Sequence, residues 1–129
     1  MSFPKHPPTK KINVPFKILV EDKDEPVTVY DKVVGIECLP FMIHRKSKFT
    51  NGSEEWYLTH SLTGYTMGIR GTYKYCKAVA TCLLEYPVMY MPSHRLMSEH
   101  PDFADTQRVV GDLAETFQYL NPPPSLPSE

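Results

Sequence analysis

A chain of 129 residues with 41% apolar and 22% charged side chains is large enough for one hydrophobic core, and it is far from the composition of chains too polar to fold. The formal net charge of -1 argues against a protein that coats nucleic acid through bulk charge. It hides an asymmetry, because residues 1–77 carry 12 Lys and Arg against 8 Asp and Glu while residues 78–129 carry 2 against 7, nets of +4 and -5.

No apolar run is long enough to cross a bilayer, and the amino terminus has no signal-peptide core. Cys38, Cys76 and Cys82 cannot all pair and form no CxxC. The expectation is a cytoplasmic protein with free thiols and no membrane partner.

Residues 1–11, MSFPKHPPTKK, combine three prolines with basic groups and no periodicity, and they read as a flexible arm. A single domain is expected over residues 12–120. From Ile12 the alternation Ile12, Val14, Phe16, Ile18, Val20 predicts a strand with Asn13, Pro15 and Lys17 on its other face. Pro15 makes it an edge strand. After the turn EDKDEP at 21–26, β-rich sequence predicts two short strands, 27–30 and 33–38, separated at Asp31-Lys32.

The apolar run Leu39 to Ile43 leads to a basic stretch and then to Asn51-Gly52, whose chemistry suits a tight turn. The chain is expected to return as a strand over 54–60, with Trp56, Leu58 and His60 on one face and Tyr57 and Thr59 on the other. Ser61 to Gly64 closes a hairpin onto a last strand in which Tyr65, Met67 and Ile69 share a face.

Thr72 is placed to cap a helix over 73–85, with an apolar stripe of Cys76, Val79, Leu83 and Tyr86 and with Cys82 beside it. Lys74, Lys77 and Thr81 should face water. Pro87 ends that helix, and the linker at 87–97 is rich in methionine. A second helix is predicted over 102–120, with a stripe of Thr106, Val110, Leu113, Phe117 and Leu120. The tail at 121–129, with four prolines, reads as disordered. The fold class is therefore α+β: an antiparallel sheet of about five short strands followed by two helices packed on one face.

Chemistry is sparse in this pattern. Cys76 with Cys82 and His94 with His100 are each six residues apart, a spacing that on a helix leaves side chains about 120° from a shared direction. No metal site and no cofactor are expected. A thiol enzyme would need Cys76, near Lys74 and Lys77, to have a lowered pKa with His60 at hand. The same cysteine lies on the core stripe, where thiols are inert, so no catalytic residue is assigned.

Two binding surfaces remain. Val88, Met89, Tyr90, Met91, Leu96 and Met97 have the flexible and aromatic apolar composition of interface cores, which favours a larger protein as partner. Tyr57, Arg70, Lys74 and Lys77 supply cations and a stacking ring for nucleic acid. Trp56, the hairpin Gly64 and the Gly71-Thr72-Tyr73 step into a helix resemble the sheet-and-helix DNA-binding domains of the integrase arm-binding type. That resemblance implies a nucleic-acid partner, although the strands carry Tyr57, Thr59, Thr66 and Gly68 where those domains carry Arg and Trp.

The function expected first is a non-catalytic binding or regulatory protein that occupies a surface on a larger protein, in the manner of accessory and anti-defence inhibitors of phages and plasmids. A small nucleic-acid-binding module is the alternative.

Overall fold

Alternation of apolar side chains drives five strands to pair antiparallel in sequence order: β1 (Lys11–Ile18), β2 (Val27–Cys38), β3 (Phe41–His44), β4 (Trp56–His60) and β5 (Thr66–Gly71). Helix α1 (Tyr73–Leu83), a 3-10 turn (Pro87–Tyr90), α2 (His94–Glu99) and α3 (Phe103–Leu120) follow. The computed structural model describes residues 3–49 and 55–120, and only the backbone of Thr66, Gly68, His94 and residues 114–120. The Asn51-Gly52 turn and the tail at 121–129 lie outside the described residues.

The α+β expectation holds, with two corrections to the strands. The segments read as 27–30 and 33–38 form one twelve-residue strand, and Phe41–His44 supplies the fifth. Asp31 does not break β2, because the Ser47 hydroxyl donates to its carboxylate at 2.7 Å. That bond holds the Asp31 pKa below the ordinary carboxylate value.

The register assigns the faces. Phe41 pairs with His60 and Ile43 with Leu58, and these side chains point toward the helices. Met42 pairs with Thr59 and His44 with Tyr57, and these point the other way. That second face is also buried, because the sheet coils until Phe16 of β1 meets the His44 ring edge-on at 5.5 Å. Val14, Phe16, Val33 and Met42 form a separate apolar cluster there.

Coiling depends on Gly35. It pairs with His44, and a Cβ at this position would lie 2.7 Å from the Ile43 carbonyl oxygen and 2.8 Å from His44 Cβ. Only glycine permits that approach of β2 to β3. The coil closes at the other end, where Lys17 N–H donates to the Gly64 carbonyl at 3.0 Å. N–H groups two residues apart on a strand point the same way, so Pro15 fills the next outward position with no donor to satisfy. Pro15 thus serves as the edge residue that the sequence suggests.

Helix α1 covers the opposite face. The Thr72 hydroxyl accepts the Tyr75 N–H at 3.1 Å, capping the helix as expected. Cys76, Val79, Ala80 and Leu83 are fully buried against Ile43, Leu58 and Ile69. Each of the two larger aliphatic residues contributes on the order of 1.5–3 kcal/mol by burial. Cys82 is exposed rather than beside the core, and the helix ends at Leu83.

The amino-terminal segment is anchored to the core and is not the flexible arm that its composition suggests. Phe3 is 4% exposed within the main core, and the Tyr73 hydroxyl donates to the Pro4 carbonyl at 2.7 Å. Helix α3 packs on α1 and α2, with Thr106 buried and Val110 and Leu113 half-buried. The side chains of Phe117 and Leu120 lie outside the described residues.

Gly35→Ala is expected to destabilise the fold by about 1–3 kcal/mol through overpacking against the β3 backbone. Phe3→Ala is expected to cost about 3 kcal/mol. Urea unfolding monitored by Trp56 fluorescence measures both, and an unchanged midpoint for Phe3→Ala would show that the segment is not anchored.

Candidate functional site

The interruption of helix by Pro87 sends the chain across the end of the sheet, and there it builds a pocket. The 3-10 turn places Val88 and Met89 inward, 0% and 4% exposed. Beneath them His60, the last residue of β4, is buried with both ring nitrogens engaged. Nε2 lies 2.5 Å from the Met89 carbonyl oxygen, which can only accept, so Nε2 carries the proton. Nδ1 then accepts from the Thr63 hydroxyl at 2.8 Å, and Thr63 Oγ1 accepts the Tyr65 N–H at 3.3 Å. One ring therefore ties the hairpin turn to the 3-10 turn.

The cavity above this tie has a volume of about 430 Å³. Met67 of β5, Met97 of α2 and Val110 of α3 form its apolar wall, and Thr106 and Gln107 add polar groups from α3. Met89 and Met97 are flexible thioethers, so the lining can adapt to the shape of an occupant. Pockets of this kind, largely apolar with a few convergent polar groups, are the usual form of a binding site.

Burial pushes the His60 pKa below its ordinary value, partly opposed by the bond to Met89. His44, on the other face of the sheet, is shifted the same way by burial. Its Nδ1 donates to the Arg45 carbonyl at 2.9 Å, and its Nε2 accepts from the Thr59 hydroxyl at 2.7 Å. Both rings are neutral structural links.

The predicted protein-binding residues separate into two groups. Val88 and Met89 are buried in the pocket wall, Met91 and Met97 are half-buried, and Tyr90 and Leu96 are exposed. The linker is thus partly core, and the 3-10 turn and α2 replace the extended segment expected there. The sequence reading missed His60, Thr63, Thr106 and Gln107 as pocket residues. The signal available for them was weak: a histidine on the apolar face of a strand, and polar groups in the first turns of an amphipathic helix.

The predicted nucleic-acid residues do not form a stacking platform. Tyr57 is 6% exposed and its ring stacks on His44 at 6.0 Å. Tyr73 and Tyr75 are buried in the core. Arg70 lies 3.7 Å from the Glu55 carboxylate, Lys74 is exposed and Lys77 half-buried. Arg45 sits 5.1 Å from the centre of the Trp56 ring. Cations are present at the hairpin-helix junction, but the tyrosines between them face inward.

Cys76 is no nucleophile. It is 0% exposed, its thiol donates to the Trp56 carbonyl at 3.5 Å, and burial followed by the Glu55 charge pushes its pKa up to about 12. Among the described residues, no group of three or more His, Cys, Asp or Glu side chains converges as metal ligands would. No helix among them is long and apolar enough to cross a membrane.

Fold and site together define an α+β domain with an apolar pocket of about 430 Å³ beside the end of its sheet. Comparison with protein-family models, with curated proteins and with solved structures gave no match.

Two measurements follow from the burial of these groups. Iodoacetamide is expected to label Cys82 in the folded protein and to reach Cys38 and Cys76 only in denaturant. Rapid native labelling of Cys76 would overturn its placement. His44 and His60 have folded-state pKa values below the ordinary 6.5, so the unfolded chain binds protons first. Their contribution to stability is fully present above about pH 6.5 and is lost as pH falls through the folded values. Urea unfolding between pH 7.5 and 5 is expected to show that decline, with a shallower slope in His60→Gln.

Proposed function

We propose that this is a non-catalytic binding protein that acts by occupying a surface on a larger protein, with the pocket between His60, Met67, Met97 and Val110 as its contact site. The observation that carries this reading is the adaptable apolar cavity of about 430 Å³, floored by a histidine whose two nitrogens are already committed. Such a ring neither abstracts nor delivers a proton without breaking the tie that shapes the pocket.

Exposed Leu96 and Tyr90 extend the apolar character along the chain beyond the cavity, as at the border of an interface core. A regulatory or inhibitory role fits a chain that binds without chemistry, and a cytoplasmic setting fits its free cysteines. An accessory protein of a phage or plasmid would have this character.

The test is affinity capture from lysate of the native host, comparing the full chain with Met97→Asp and Val110→Asp. A protein retained by the wild type is expected to be weakened at least tenfold, about 1.4 kcal/mol, by either substitution. Retention undiminished in both variants would remove the pocket from the interface. Binding of nucleic acid that weakens with salt and with Lys74→Glu or Lys77→Glu would replace the reading by the alternative one.

A further inference from the structure

We infer that the end of the sheet where β1 begins and β3 ends is a second binding surface, which takes the phosphate backbone of duplex nucleic acid through Lys10, Lys11, Lys32, Lys46 and Lys48. This goes beyond the reading above, because the pocket lies at the other end of the strands: β4 starts here at Trp56 and finishes at His60, which lines the pocket.

The register gathers these cations from three separate stretches of sequence. Lys11 pairs with Val34, the Val34 carbonyl accepts the Arg45 N–H at 2.8 Å, and the Gly35 N–H donates to the Lys10 carbonyl at 3.0 Å. Lys46 and Lys48 therefore leave β3 beside the start of β1. Asn13 pairs with Lys32, so Lys32 sits diagonally from Lys11 on the same face of the β1–β2 ribbon, at roughly 7–8 Å. All five lysines and Asn13 are exposed.

The carboxylates nearby do not cancel this charge. Asp31 accepts from the Ser47 hydroxyl and the Lys48 N–H, and its charge is offset by Lys48. Glu37 stands three residues beyond Val34 on β2, Glu55 lies 3.7 Å from Arg70, and Glu54 is outside the described residues. No ion pair among the described residues involves Lys10, Lys11, Lys32 or Lys46. The acidic turn with Glu21, Asp22, Asp24 and Glu25 is at the far end of the ribbon. The strand from Lys11 to Ile18 spans about 24 Å, well beyond the screening length of about 8 Å at physiological ionic strength. A net charge of -1 thus joins two remote regions of opposite sign.

The composition of the surface selects the partner. Lysine is depleted in protein interfaces, and a membrane-binding surface needs an apolar face beside its cations. Exposed Leu19, Leu39 and Leu62 sit in turns at the opposite ends of their strands, Tyr30 is halfway along the ribbon opposite Pro15, and Tyr90 and Leu96 follow α1. What stands beside the lysines is the amide of Asn13 and the hydroxyl of Thr9, a donor set that grips phosphate. Trp56 and Phe49 each carry a cation over the ring, Arg45 and Lys48, and Tyr57 is buried. Among the described residues this end has no open platform on which unpaired bases could stack, which favours duplex over single strand.

Fluorescence anisotropy of labelled duplexes about 20 base pairs long, in two unrelated sequences, tests this on the full chain. Both duplexes are expected to bind alike, with affinity falling as salt rises from roughly 50 to 200 mM. Replacing Lys11, Lys32 and Lys46 together by Gln is expected to weaken binding at least tenfold at the lower salt and to reduce the slope of log K against log salt by about 2–3. A control that removes as much charge elsewhere, Lys23→Gln with Arg95→Gln and Arg108→Gln, is expected to weaken it by about threefold or less. The single substitutions Lys11→Gln, Lys32→Gln and Lys46→Gln, all at exposed positions, carry the same comparison should the triple variant unfold. Equal loss in the control, no binding at low salt, or a larger loss in Lys74→Gln or Lys77→Gln than in any of these three would overturn the surface. Tighter binding to polyglutamate or to phosphatidylserine vesicles would also overturn it, in favour of an acidic protein or a membrane. Met97→Asp, which tests the pocket, is expected to leave duplex affinity unchanged, so either site can fail alone.

Discussion

A five-stranded sheet in a chain this size has two faces to bury, and α1 is the helix packed directly on it. The close contact of Gly35 with Ile43 and His44 resolves that conflict. Because β2 can touch β3 there, the first two strands swing around and the sheet covers one of its own faces with Val14 and Phe16. Helix α1 is then free to cover the other. Everything later in the chain is added at the end that α1 leaves open, and so the position of the pocket follows from a backbone approach far from it in sequence.

Coiling also explains why polar residues occupy the covered face without penalty. His44 and Thr59 lie opposite Phe16 and bond each other, with the Arg45 carbonyl satisfying the remaining ring nitrogen. A buried polar pair with all its partners costs little, and it fixes register more sharply than apolar packing does. His60 repeats the device on the opposite face. There the partners are loops rather than strands, so the bonds position a turn whose own backbone hydrogen bonds are few.

Period and capping were legible in the sequence where they are local. The alternation from Trp56 to Ile69 and the Thr72 cap depend on near neighbours, and both appear as read. What alternation does not reveal is whether a face is wet. Tyr57 has the position of an outward residue on β4, but the face it occupies is covered by a ribbon from forty residues earlier. Phe41 to His44 went unread as a strand for the same reason, since all four residues are buried and no alternation remains. Asp31 resembled a turn signal because its partner, Ser47, is distant in sequence. The methionine-rich linker was legible as unusual, but its division into buried Val88 and Met89 and exposed Tyr90 depends on the tie from His60 to Met89.

The two edges of the sheet are finished differently. A proline and a clasp from the hairpin turn occupy the outer edge of β1. β5, beside the pocket, carries two extra residues against β4 between Thr66 and Arg70, and its regular pairing is interrupted there. The α3 side of the pocket is lined by Thr106 and by Gly111, where a Cβ would meet no atom within 4 Å. Short side chains on α3 opposite flexible methionines on β5 and α2 leave a space with the lining of a binding site, and the proposed contact rests on that space.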